Sequence, residues 1–476
     1  MTVQSTTWDA VVVGAGPNGL AAAIALARAG QTVLLREAEG VIGGGTRTAE
    51  LTLPGFLHDV CSAVHPLALA SPFFRSLPLG DFGVDFLQPP IPVAHPFDDG
   101  TAAVLSRSLT ETAAMLGPDG AAYHQLLAPF VSNWPELIDG VLGPFRIPRH
   151  PFLLARFAFV GLRSACGLAE SYFRSERTRG LFAGLAAHAM LPLERPPSAA
   201  FGLLLGILAH AVGWPVVRGG SQRLADALAG YLQSLGGRVD VNAPIHSVDE
   251  LPSTKAVLLD LTPRPALAVV GSRWSESYRQ RLHRYRYGPG VFKVDYALTG
   301  PVPWRASVCQ QAGTIHLGGT MPEIAASERA VWDGLLPERP FVLVCQPSIV
   351  DPSRAPVGKQ TLWTYCHVPS GSTVDMTARI EAQIERFAPG FRERILARNV
   401  LTARAFERYN PNYVGGDFNG GVEDLRQLFF RPAPRLDPYA TPANGVYFCS
   451  SATPPGGGVH GMCGYWAARS ALRELH

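Results

Sequence analysis

The chain has 476 residues, 47% hydrophobic and 17% charged, which is apolar enough for large cores and excludes a mainly disordered protein. A net charge of +3 with no basic run argues against nucleic acid as a partner, and 49 glycines with 41 prolines follow no three-residue period, which excludes collagen. Seven dispersed cysteines form no Cys-x-x-Cys pair and no His/Cys/Asp/Glu cluster has ligand spacing, so neither a disulfide framework nor a metal site is expected. Free thiols suit a reducing cytoplasm, and the polar start from Met1 to Trp8 lacks the basic and apolar stretches of a secretory signal. A cytoplasmic location is therefore expected, with peripheral membrane contact left open.

Asp9 to Val13 predicts a short buried strand, and Gly14-Ala15-Gly16-Pro17-Asn18-Gly19 predicts the turn into an alanine-rich helix. Gln31 to Arg36 predicts the next strand, closed by Glu37. This is a βαβ dinucleotide fingerprint in its proper context. Gly14 permits the tight turn, Gly16 lets backbone approach a pyrophosphate, and Gly19 lets the helix pack close to the strand. The helix N-terminus offers free N–H groups to the phosphates. Glu37 can accept hydrogen bonds from a ribose and would repel a 2′-phosphate, which favours FAD or NAD over NADP. Gly43-Gly44-Gly45-Thr46-Arg47 continues the site, with Gly44 and Gly45 allowing close backbone contact and Arg47 able to meet a phosphate or sit beside a flavin.

Glu37-Ala38 followed by Gly43-Gly44 and Arg47-Thr48 resembles the flavoproteins of the phytoene desaturase and amine oxidase superfamily. Leu53-Pro54-Gly55-Phe56 to Asp59 resembles the phytoene dehydrogenase-like branch. The resemblance implies FAD as cofactor and an α/β fold, with a discontinuous Rossmann-like FAD-binding domain and an interleaved α+β substrate domain. It also puts Arg47, and less firmly Asp59, near the flavin.

Further along, Pro151 to Ala165 and Ala199 to Val217 are mostly apolar. The second carries no Asp, Glu, Lys or Arg over 19 residues, close to a spanning length. Its His210, glycines and Pro215 favour a buried helix beside an apolar ligand over a membrane-surface patch. Arg218-Gly219-Gly220-Ser221 leads into a helix, Gln222 to Leu235, and strands follow at Arg238 to Asn242 and Ala256 to Leu261. Gly288-Pro289-Gly290 opens a strand and not a helix, so no second nucleotide fingerprint is present and oxygen, a quinone or another acceptor is expected to reoxidise the flavin. In that strand Lys293 shares a face with Val291 and Asp295. It resembles a strand lysine that holds a water near the flavin in amine oxidases, which makes Lys293 a catalytic candidate beside the alternative of a pair with Asp295. His316 and Tyr365 read as satisfied polar groups of the core.

Asn444 to Ser451 predicts a strand and loop, Pro454 to Gly461 a glycine-rich loop, and Met462 to Leu475 a final helix. The resemblance brings this end back to the flavin, which would place Ser451, Gly458, Val459 and Gly461 at the cofactor. His460 becomes a second catalytic candidate, able to move a proton or bond a flavin carbonyl. Tyr465 and Trp466 are expected to pack the helix or wall the site. The implied domains are FAD-binding at 1–70, 216–270 and 435–476, and substrate-binding at 71–215 and 271–434. The expected activity is transfer of a hydride from a C–H bond of an apolar or aromatic small molecule to flavin. A flavin amine oxidase, an isomerase without net redox and a non-catalytic flavoprotein scaffold are the alternatives.

Overall fold

The computed structural model describes residues 7–475; Met1 to Thr6 of the polar start and His476 lie outside them. Five parallel strands form one sheet in the order Val446–Phe448, Thr254–Leu259, Trp8–Val13, Val33–Arg36 and Arg238–Asp240. The first strand sits at its centre, and Ala10 to Val12 are fully buried. An apolar run without alternation suits a parallel strand covered on both faces. Helix Pro17–Arg28, rich in alanine, packs so tightly on the last helix, Met462–Leu475, that a Cβ at Gly464 would fall 1.8 Å from the Asn18 carbonyl oxygen. The two ends of the chain are thereby fixed to each other. Parallel alignment puts Gly14, Glu37, Asp260 and Cys449, each the first residue after its strand, along one edge of the sheet. Ligands of open α/β sheets bind outside this edge, and the domain is Rossmann-like.

A seven-stranded mixed sheet builds the second unit, in the order Ile395–Leu401, Gly290–Leu298, Gln360–Val368, Val342–Cys345, Ala312–Leu317, Ile91–Pro96 and Ala102–Leu105. Only Ala312–Leu317 and Ile91–Pro96 pair in parallel. Alternation along Gly290–Leu298 decides the layers. Phe292, Val294, Tyr296 and Leu298 pack with Ile380, Ile384 and Phe387 of helix Thr377–Phe387. Val291 faces the opposite way, into a core with Leu343, Trp363, Tyr365 and the helices between residues 120 and 211. These helices roof the sheet and leave a cavity beneath.

Helix Ser198–Ala211 is the heart of the roof, and Leu203, Ile207, Leu208 and Ala209 on it are wholly buried. The charge-free stretch from 199 to 217 is therefore core, and it ends in a strand, Val216–Val217. Among the described residues no single helix is long and apolar enough to cross a membrane.

Candidate active site

One cavity of about 960 Å³ joins the two units, at the upper end of the ~300–1,000 Å³ common for small-molecule sites. Its lower half is built from the sheet edge. Gly14 turns at φ +101°, a conformation open to glycine, and a Cβ at Gly19 would fall 2.0 Å from the Gly14 carbonyl oxygen. The turn and the start of helix Pro17–Arg28 thus present bare backbone, a shape that fits the pyrophosphate of a dinucleotide. Gly14, Gly16, Glu37, Gly44, Gly45, Arg47, Ser451, Gly458 and Val459 all line this cavity. Asn18 lines it too, and its buried Oδ1 has no partner in the protein, an acceptor left over for a ligand hydroxyl. The residues present fit a bound dinucleotide.

Glu37 is held in place from two sides. Its Oε2 accepts from the Ala15 N–H at 2.8 Å, and its Oε1 accepts from the Glu39 N–H at 3.1 Å and from the Arg47 guanidinium at 3.3 Å. Arg47 therefore answers a carboxylate, and its guanidinium lies 5.5 Å from the centroid of the Tyr409 ring. Gly19 and Gly461 contribute from behind the lining: Gly461 turns at φ +66°, and a Cβ there would strike Phe74 and Ala21.

Asp260 was missed by sequence reasoning. It closes strand Thr254–Leu259 as Glu37 closes Val33–Arg36, and that parallel was the available signal. Its Oδ2 accepts from the Gly19 N–H at 3.0 Å, and it faces the cavity beside the glycine turn. Burial pushes its carboxyl up to about 7, and the charge of Glu37 adds to the rise.

The upper half of the cavity is apolar. Phe157, Phe201, Leu204 and Leu205 come from the helical roof, and Leu343, Trp363 and Tyr365 from the mixed sheet. Trp363 and Tyr365 meet edge-on at 5.1 Å, and Tyr365 meets Phe418 edge-on at 5.6 Å. The few polar groups here include His188 and Thr314, whose hydroxyl accepts from the Trp214 indole N–H at 2.8 Å. His188 joins His316 through their Nε2 atoms at 3.1 Å. His316 Nδ1 is buried without a partner, so His316 departs from the expected satisfied core group. Tyr365 departs from it as well, because it walls the cavity. Burial pushes His188 down to about 3 and keeps both rings neutral. Cys61 also lines the cavity, but burial pushes its thiol up to about 11 and removes it as a nucleophile at neutral pH.

Lys293 and His460 lie outside this lining. The Lys293 ammonium is buried in an ion pair with Asp295, 5.6 Å from the centroid of the Trp363 ring that does line it. Close by, Arg354 pairs with Asp59 at 2.6 Å, which ties Asp59 into a buried charge cluster away from the cavity. His460 Nδ1 accepts from the Met462 N–H at 3.0 Å, at the start of the last helix, and burial pushes the ring down to about 4. Tyr465 packs on Phe73 at 5.0 Å, and the Trp466 indole donates to the Leu142 carbonyl at 3.1 Å, so both serve helix packing.

Comparison with known proteins agrees with this architecture. Residues 12–75 match the model of the NAD(P)-binding Rossmann-like domain. Over 98% of this chain and 94% of the relative, the sequence is 26% identical to the pyridine nucleotide-disulfide oxidoreductase domain-containing protein 2 of Rattus norvegicus. It is 25% identical to the all-trans-zeta-carotene desaturase of Myxococcus xanthus over 94% of this chain and 90% of that one. The fold superposes on cyclohexylamine oxidase from Brevibacterium oxydans with a TM-score of 0.58 at 16% identity, covering 98% of this chain and 99% of that one.

Proposed function

We propose, for a chain that belongs to the phytoene desaturase and amine oxidase superfamily of FAD-dependent oxidoreductases, that one cavity takes FAD along its glycine-lined half and an apolar or aromatic small molecule in the other. The observation that carries this reading is continuity: Glu37 and Gly16 line the same cavity as Trp363 and Tyr365, with no wall between them. When bound, FAD supplies the acceptor for a hydride from a substrate C–H bond. The residues of the chain bind, orient and exclude water. The glycine turn and the first helix hold the pyrophosphate, and Glu37 holds the ribose against Arg47. Ser451, Gly458 and Val459 bring the C-terminal loop to the cofactor, and His460 caps the helix that follows. The roof residues Phe157, Phe201 and Leu204 keep the reacting C–H bond dry and in one orientation. Neutral His188 gives the substrate side a polar group that can hydrogen-bond what enters. Lys293 and His460 act in this reading as positioning residues, through Trp363 and the last helix. Oxygen or a quinone, neither of which needs a second nucleotide fold, serves as terminal acceptor.

Amine oxidation is a second reading, and Trp363 and Phe418, each edge-on to Tyr365, favour it, because an aromatic wall can accommodate an amine cation. The deciding experiment is an absorption spectrum of the purified chain before and after denaturation. It is followed by anaerobic addition of polyenes and amines while the flavin bands are watched. FAD released on denaturation, and bands that bleach with a C–H donor, are expected. Bleaching by amines, with hydrogen peroxide formed in air, would select the second reading. Product formed with no acceptor consumed would mark an isomerase. Full flavin content with no bleaching would leave a binding scaffold. No flavin after reconstitution would refute the cofactor assignment.

A further inference from the structure

The longest concentration of exposed apolar side chains lies outside the cavity, on its roof. Phe145 is 91% exposed, Ile147 95%, Phe152 90% and Phe159 77%. On helix Pro151–Gly161, Phe152, Ala155, Arg156 and Phe159 fall at spacings of three and four, which puts them on one face. Leu162 continues the stripe past the helix end, at 42% exposure. The opposite face is core: Phe157 and Val160 are buried, and Phe157 meets Phe130 edge-on at 5.6 Å. Two faces of this kind describe a helix that lies along a surface.

Charge decides what covers it. From 140 to 169 the chain has Arg146, Arg149, Arg156 and Arg163 and not one Asp or Glu. Arg146 is answered by Asp139 at 3.1 Å on the rim, while Arg149 and Arg156 are exposed beside the aromatic stripe. A second copy docking here about a two-fold axis would set these cations against themselves. An anionic lipid surface meets both features at once, the rings at the acyl boundary and the guanidinium groups at the phosphates. The geometry suits lying on such a surface and not crossing it. Helix Pro151–Gly161 turns 97° into helix Ala165–Tyr172, where Ala165, Leu168 and Ala169 are buried in the protein.

We infer that this face docks the chain on an anionic membrane surface, and that the same helix forms the gate of the cavity. Phe157 on its inner side, with Val141 and Leu142 just before it, lines the cavity, so a single helix of roughly 10 Å diameter separates lipid from the apolar half. The gate role rests on the proposed function and implies a substrate drawn from the bilayer; the docking stands without it.

Flotation of the full chain with vesicles tests the docking. The vesicles are phosphatidylcholine alone or with about a third phosphatidylglycerol, at about 0.1 M and 0.5 M salt. The protein is expected to float with the anionic vesicles at low salt. Phe152→Ser with Phe159→Ser should lower the bound fraction about tenfold. Arg149→Glu with Arg156→Glu should erase the preference for phosphatidylglycerol. Both pairs alter exposed side chains, and an unchanged denaturation midpoint and absorption spectrum would confirm an intact fold. A protein that stays at the bottom with every vesicle overturns the inference. So does a serine pair that floats like the parent, or a dimer in sedimentation velocity that the serine pair splits. Flotation by a chain that never binds flavin would sink the proposed function and leave the docking standing.

Discussion

Replacing Lys293 by Met separates a structural role from a catalytic one. Lys293 is 1% exposed and Asp295 fully buried, and the two form an ion pair. The His58 Nδ1 lies 3.7 Å from the other Asp295 oxygen, beyond hydrogen-bond reach, and burial pushes that ring down to about 3, so it brings no charge. Arg354 is committed to Asp59 at 2.6 Å. Methionine keeps most of the volume and leaves Asp295 as an uncompensated buried charge. Breaking a buried pair from one side costs about 3–5 kcal/mol. That is a large part of the ~5–15 kcal/mol that holds a typical domain together. Denaturant unfolding followed by tryptophan fluorescence should register the loss as a lower midpoint. Lys293→Met with Asp295→Leu should recover most of it, because an apolar pair of similar volume needs no counter-charge. If Lys293 only braces the wall behind Trp363, the double variant should also recover flavin reduction. A single variant within about 1 kcal/mol of the parent would refute the ion-pair account. A double variant stable but slow would return the ammonium to the chemistry.

Three further outcomes are expected. Gly19→Val should abolish dinucleotide retention, since its Cβ would fall 2.0 Å from a backbone oxygen; full flavin occupancy would refute the turn as the phosphate site. Asp260 has its pKa raised from 3.8 to about 7, so the folded ligand-free chain keeps a proton that the unfolded chain has released, and the stability this lends is lost as pH rises from about 4 through 7. Asp260→Asn should therefore gain on the parent between pH 5 and pH 8, by up to about 2.7 kcal/mol in a sealed site and less for a group that faces a cavity; an equal gap at both pH values would refute this. His65, His95, His210 and His460 are each pushed down to about 4 and His58 and His188 to about 3, so each withholds stability as pH falls from 6.5, at about 1.4 kcal/mol per pH unit per ring. Circular dichroism should show unfolding near pH ~5, and a native spectrum retained at pH 4 would contradict the burial of these rings.

The glycine turn, the acid at Glu37 and the Gly290–Leu298 alternation were legible in the sequence because each is a local signal of fixed spacing. The pairing of His188 with His316 was not, since it joins residues 128 apart and only the packing of a helix on a strand brings them together. Composition also could not tell which apolar stretch lies inside. The segment from 199 to 217 drew attention for its lack of charge, which is what a core helix needs. The exposed one, from 145 to 162, carries arginines, and the spacing of Phe152, Ala155, Arg156 and Phe159 on one helix face held the information. Asp260 hid because a lone carboxylate after an apolar strand has no pattern of its own until the strand is placed beside the glycine turn.

The contact between the two imidazoles fixes which hydrogen the cavity presents. Two neutral rings meeting Nε2 to Nε2 must be opposite tautomers, one donating and one accepting. His316 Nδ1 is sealed in without a partner, and a sealed acceptor is tolerated better than a sealed N–H. His316 therefore donates from Nε2, and His188 accepts and keeps its own hydrogen on Nδ1. The cavity wall at His188 then offers a donor to whatever enters. A carbonyl, ether or amine lone pair would satisfy it, whereas a pure hydrocarbon would strip it of water and give nothing back, so the chamber discriminates against the plainest polyenes.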